Sequence, residues 1–75
     1  MNLTFPYYHL NDWDGATVNV IDEDNLDNVV GEVKLEKDVG RHVFLFGRYK
    51  GTFKTHDEAV AFVKGEETVL EYIIG

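Results

Sequence analysis

Hydrophobic and polar residues alternate along much of the first two-thirds of this chain. In TVNVI, residues 17–21, Val18 and Val20 fall on one side, and in VVGEVKLE, residues 29–36, Val33 and Leu35 do the same. A period of two is the mark of a half-buried strand. Between these strands lies DEDNLDN, residues 22–28, whose side chains bond their own backbone and tolerate left-handed conformations, so the pattern predicts a hairpin loop. After the break KDVGR, the segment RHVFLFGRY, residues 41–49, is apolar on both parities, as expected of a central strand. YKG at 49–51 then predicts a turn into GTFKT, a short fourth strand at 51–55. LTF at 3–5 has strand composition, and Pro6 halts pairing there because it lacks an amide hydrogen.

The period then changes. Thr55, His56, Asp57 and Glu58 form a T-x-x-E capping box, and two acids in the first turn suit the positive end of a helix dipole. Ala59, Phe62 and Val63 follow at helical spacing, and Gly65 stands where a left-handed cap would end the helix. In EETVLEYII, residues 66–74, β-branched residues suit an edge strand, but the spacing of Val69, Leu70 and Ile73 favours a second short helix.

The expected architecture is α+β: an antiparallel three- to four-stranded meander sheet, a capped helix packed on one face, and a short C-terminal helix. The expected core is Val18, Val20, Val33, Leu35, Val43, Leu45, Phe53, Ala59, Phe62 and Val63. A chain of 75 residues buries only about 60% of its unfolded surface, so residues 1–75 are read as one domain. Within it, 1–16 is an aromatic arm, 17–54 the sheet and 55–75 the helical part. No cysteine is present, which excludes a disulfide or thiolate zinc site and fits a reducing, cytoplasmic setting. Neither a signal-peptide pattern nor an apolar run of about 20 residues occurs, so no membrane role is expected.

Charge changes the picture more than composition does. The net charge is −7, unevenly distributed. From Met1 to Val33 there are seven acids and no lysine or arginine; from Asp57 to Gly75 five acids accompany Lys64 alone. Residues 34–56 carry Lys34, Lys37, Arg41, Arg48, Lys50 and Lys54 against Glu36 and Asp38.

Candidate chemistry is sparse. The acid-rich stretch 11–28 does not fit an EF-hand loop: in the register beginning at Glu23, Asn28 stands where glycine is needed and Lys34 where the bidentate glutamate belongs. Asp12 and Asp14 beside Gly15 are equally short of ligands. There is no serine or cysteine nucleophile, and His9, His42 and His56 form neither H-x-x-x-H nor H-E-x-x-H. The expectation is a non-enzyme with no metal and no cofactor.

FPYYHLNDW, residues 5–13, places Tyr7, Tyr8 and Trp13 close together, as interface anchors or as an arm folded over the open sheet face. The middle segment RHVFLFGRYKGTFKTHDEAVAFV, with Gly51, Thr52, Phe53, Thr55, Glu58 and Ala59 in the pattern GTF-x-T-x-x-E-A, resembles in outline the last strands and helix of the DNA-binding domain shared by plant ethylene-response factors and some phage integrases. That resemblance covers residues 51–59 and implies a basic sheet lying in the major groove, with Arg41, Arg48, Lys50 and Lys54 as contacts. The preceding strands carry acids where that family has bases, and direct nucleic-acid binding ranks second here.

The first-ranked expectation uses the whole charge. Carboxylates on one strand face repeat at about 6.6–6.8 Å, twice the residue rise, and duplex phosphates advance about 3.4 Å on each strand. Acids on the hairpin and helix could therefore imitate a nucleic-acid backbone, a character similar to that of small phage-type inhibitors. The expected function is a protein-binding module that meets a basic protein partner, such as a nucleic-acid-binding protein, through Asp22, Glu23, Asp24, Asp27, Glu66 and Glu67. Homodimerisation through a sheet edge is a further expectation.

Overall fold

A computed structural model describes the backbone of residues 2–74 and the side chains of residues 2–66. Five strands form one antiparallel sheet: β1 (Leu3–Thr4), β2 (Thr17–Asp22), β3 (Asn25–Glu36), β4 (Gly40–Leu45) and β5 (Arg48–Phe53), followed by α1 (His56–Ile74). The strands lie in the order in which they occur in the chain. The fold is α+β as the pattern predicts, but among the described residues it has five strands rather than three or four, and one helix with no separate C-terminal one.

Each difference has a physical cause. LTF does pair, Leu3 with Asp22 and Thr4 with Ile21, through a partner that lies far along the chain. The expected seven-residue loop shrinks to a turn at Glu23–Asp24, and β3 begins at Asn25. Its first residues are drawn into the ladder irregularly, since Asp22 faces Asn25 while Ile21 faces Val29. The expected turn at YKG and the single strand 41–49 are both corrected: the chain turns at Phe46–Gly47, so β4 ends at Leu45 and YKG lies inside β5. With five strands in sequence order, β3 is the central one. The helix runs on through Gly65, where a Cβ would meet nothing within 4 Å. A solvent-facing glycine weakens a helix by about 1 kcal/mol without ending it.

Val33 and Leu35 of β3 point inward between exposed Glu32, Lys34 and Glu36, and Val43 and Leu45 of β4 meet them. With Val20 and the helical Ala59 and Val63 they form the buried core, joined by Leu3, Phe5 and Val30, which the alternation did not single out. Val18, Phe53 and Phe62 of the expected core are only partly buried and pack around it. Gly31 is required by close approach: a Cβ there would stand 2.1 Å from the Phe44 carbonyl oxygen, so β3 and β4 could not keep their spacing.

The helix begins as expected. Thr55 Oγ accepts the Glu58 amide at 3.2 Å, which completes one half of the capping box. From there α1 packs against β1, β4 and β5, so it touches both outer strands of the sheet. The curl of the sheet lets one helix guard both edges, which would otherwise offer unpaired backbone groups.

Candidate functional site

The topology gives the molecule two distinct ends. In a sequential antiparallel sheet, the β2–β3 turn at Glu23–Asp24 and the β4–β5 turn at Phe46–Gly47 lie together, and the β3–β4 turn at 37–39 lies opposite. Strands of six residues such as β2, β4 and β5 set these ends apart by roughly 20 Å.

At the first end the structure gathers acids from separate parts of the chain. The Glu23 amide donates to the Asn2 carbonyl at 2.8 Å, and the Asn2 side-chain amide donates to the Glu23 carboxylate. Lys64 Nζ, from α1, donates to Asn2 Oδ1 at 2.8 Å. Glu66, two residues further along the helix, pairs with Lys50 at 3.7 Å. Glu23, Asp24 and Asp27 are exposed. Among the described residues, no lysine or arginine forms an ion pair with these three. Asp22 is different, because it is buried and its Oδ1 accepts the amides of Asn2 at 3.1 Å and Asp24 at 3.0 Å. Those hydrogen bonds, Asn2 first, hold its carboxyl below the ordinary aspartate value. Asp22 shapes the turn; Glu23, Asp24 and Asp27 present it. The Glu67 side chain lies outside the described residues.

Three apolar side chains share this end and were missed in the sequence. Leu26 is 67% exposed, Val29 51% and Phe46 50%. Phe46 and Gly47 both have positive φ, 53° and 78°, the signature of a type I′ turn. The Phe46 amide donates to the Val30 carbonyl at 2.9 Å, which fixes this turn beside the Val29–Val30 segment. The available signals were a single leucine in a polar loop and a Phe-Gly pair ending an apolar run.

The aromatic residues of the arm, Tyr7, Tyr8 and Trp13, occupy the opposite end. Tyr7 stands edge-on to His56, centroids 5.3 Å apart, and Arg41 lies 5.8 Å from the centre of the Tyr7 ring. Tyr8 packs on the core and leans on Trp13 at 4.7 Å, with Trp13 itself exposed. The Asp14 carboxylate accepts the Lys37 amide at 2.8 Å, tying the arm to the β3–β4 turn. The arm therefore covers the end of the sheet, and Tyr7, Tyr8 and Trp13 do not share a surface with the acids. Burial and the Arg41 charge hold the His56 imidazole below its ordinary pKa, against a smaller opposing pull from Asp57.

The four basic candidates are not brought together. Arg41 is buried and donates to the Lys54 carbonyl at 2.9 Å. Lys54 follows β5 at the aromatic end, Arg48 begins that strand at the acidic end, and Lys50 faces Glu66.

On the open face of the sheet, Glu36, His42 and Thr52 form a hydrogen-bonded series. His42 Nε2 lies 2.6 Å from Glu36 Oε2 and its Nδ1 lies 2.8 Å from Thr52 Oγ, with the Tyr49 hydroxyl also on Thr52. A carboxylate, an imidazole and a hydroxyl in sequence are the parts of an activated nucleophile. Here they are cross-strand neighbours, His42 directly opposite Thr52, on a solvent-facing sheet with Glu36 exposed. Nucleophilic catalysis also needs water excluded and donors aimed at the developing oxyanion, and an open face supplies neither. Among the described residues no group of three or more His, Cys, Asp or Glu converges to hold a metal ion. Among them, too, no helix is long and apolar enough to cross a membrane. Comparison with protein-family models, curated proteins and solved structures finds no match.

Proposed function

We propose that this chain is a small non-enzymatic protein-binding module, an inhibitor or nucleic-acid mimic in character, that engages a basic surface of a protein partner in a cytoplasmic setting. The contact residues are Glu23 and Asp24 on the β2–β3 turn, Asp27 early in β3, and Glu66 and Glu67 on α1. One observation supports the reading: the Lys64–Asn2–Glu23 hydrogen-bond series ties α1 to the acidic β2–β3 turn. Two acidic segments distant in the chain are thereby tethered to each other through Asn2. Lys50 and Lys64 offset part of that field, and the exposed carboxylates of Asp24 and Asp27 remain to attract a cation within the Debye length of about 8 Å.

The basic residues support a nucleic-acid reading less well, since Arg41 is buried and Lys50 is paired. The test is affinity capture from the native host with the intact chain, followed by a salt titration of the purified complex. A partner with a basic contact surface should be recovered and should weaken steeply between about 50 and 200 mM salt. Reversing Glu23, Asp24 and Asp27 to lysine should abolish the interaction. Affinity that is flat across that salt range would remove the proposal. So would saturable duplex binding in a gel shift that is lost on changing Arg48 and Lys50 to glutamate.

A further inference from the structure

We infer that Phe46, Leu26 and Val29 form the apolar centre of this binding surface and that the carboxylates are its rim, so the partner presents an apolar socket bordered by lysine or arginine. The inference rests on the reading above and adds what that reading lacks, a source of affinity that salt does not screen.

Phe46 carries the argument. A two-residue type I′ turn needs both residues in the left-handed region, where asparagine, aspartate and glycine are at home and an aromatic residue is strained. Besides Phe46, Asp38 is the non-glycine residue with positive φ among the described residues, and aspartate tolerates that conformation. The fold therefore accepts backbone strain at Phe46 and leaves half of its ring in water. Asparagine would close the same turn without strain. Strain of this kind that burial does not offset is found where function holds it.

The surroundings complete a recognisable arrangement. Single exposed apolar residues are ordinary, but Leu26, Val29 and Phe46 lie at one end, the last beside the segment that carries Val29. Protein interfaces combine an apolar, often aromatic, centre with a polar rim, and Glu23, Asp24 and Asp27 supply that rim here. Charge selects the occupant. A second copy placed by two-fold symmetry would bring these acids against their own counterparts, and an anionic lipid surface would be repelled by them. A protein surface with lysine or arginine around an apolar hollow satisfies both parts.

The test uses the intact chain and two synthetic helical peptides of equal length and positive charge. One has leucines at i, i+3, i+4 and i+7 among lysines; in the other every leucine is replaced by glutamine. The wild-type chain should bind the leucine peptide about tenfold more tightly or better. In an amide-resolved NMR titration, the shifts should centre on residues 23–30 and 46–48. Phe46→Asn should remove most of the tenfold preference while raising Tm by roughly 4–8 °C, because strain leaves the fold. Leu26→Ser should reduce the preference with Tm unchanged. Equal binding of both peptides, shifts centred on Tyr7 and Trp13, or a fall in Tm on Phe46→Asn would each overturn the apolar-centre proposal and leave the acidic reading standing. If neither peptide binds at low salt, the acidic reading fails and this inference falls with it.

Discussion

The ring of Phe5 stands edge-on to the imidazole of His56, with centroids 4.9 Å apart and planes inclined at 73°. Tyr7 approaches the same imidazole in the same way, and Nδ1 of His56 is buried without a hydrogen-bond partner. The amino-terminal arm is thus packed on a histidine whose charged form the fold disfavours.

This packing predicts a particular pH dependence. Burial, reinforced by Arg41, lowers the folded-state pKa of His56 below its ordinary 6.5. The unfolded chain then binds more protons in the interval below 6.5, so stability rises with pH there. The contribution is fully present above 6.5 and is lost as pH falls through the lowered folded value. Urea midpoints measured between about pH 8 and 5 should fall for the wild type. His56→Leu should show a shallower fall, and parallel curves for the two proteins would refute the assignment.

Arg41 provides a second prediction. Its guanidinium is buried, bonds the Lys54 carbonyl and faces the Tyr7 ring. Truncation to alanine removes a charge-assisted hydrogen bond and should destabilise the fold by about 1.5–3 kcal/mol. Arg41→Met keeps much of the packing and removes the charge. In an NMR titration it should move the His56 pKa back toward its ordinary value without restoring it fully, because burial is the larger cause. An unmoved His56 titration would show that the cation does not act on the ring.

At the β2–β3 turn, both amide bonds to Asp22 end on the same carboxylate oxygen. Asp22→Asn can therefore keep the turn through its side-chain carbonyl, whereas Asp22→Ala cannot. Because the folded pKa lies below the ordinary 3.8, the charged form contributes stability that is complete above 3.8 and disappears as pH falls through the lowered value. The wild type should lose stability over that acid interval and the asparagine variant should not. Amide exchange at Asn2 and Asp24 should accelerate in the alanine variant and stay slow in the asparagine variant.

Gly31→Ala is expected to damage the sheet through one added methyl group. The new carbon would collide with the Phe44 carbonyl and press on Leu45, neither of which can withdraw without separating β3 from β4. Overpacking of this kind costs about 1–3 kcal/mol. A denaturation midpoint indistinguishable from wild type would mean that the two strands have room to part.

What could be read in advance follows from the range of each determinant. Val33 and Leu35 alternate with charged neighbours, and Thr55 stands three residues before Glu58; both patterns are local, and both elements form. β1 depends on pairing Leu3 with the distant Asp22, and two residues of strand carry no period of their own. The Phe46–Gly47 turn was hidden because an aromatic residue in the left-handed region is the least expected occupant of a tight turn. Gly65 misled in the other direction, since Ala59, Val63, Leu70 and Ile73 keep helical spacing straight through it. At the candidate site the acids were legible as charge. Their grouping with Leu26 and Phe46 was not, because it depends on which turns share an end.

The strict order of the sheet has a kinetic consequence. Each strand from β2 onward can zip onto the one just made, so most of the loop-closure entropy is met in small steps, a topology associated with rapid folding. The Lys64–Asn2 bond is the exception, joining residues 62 apart in the chain. That bond can form only once α1 is in place, so the tie between the helix and the acidic turn is a late step of folding, whereas β1 can pair with β2 before it.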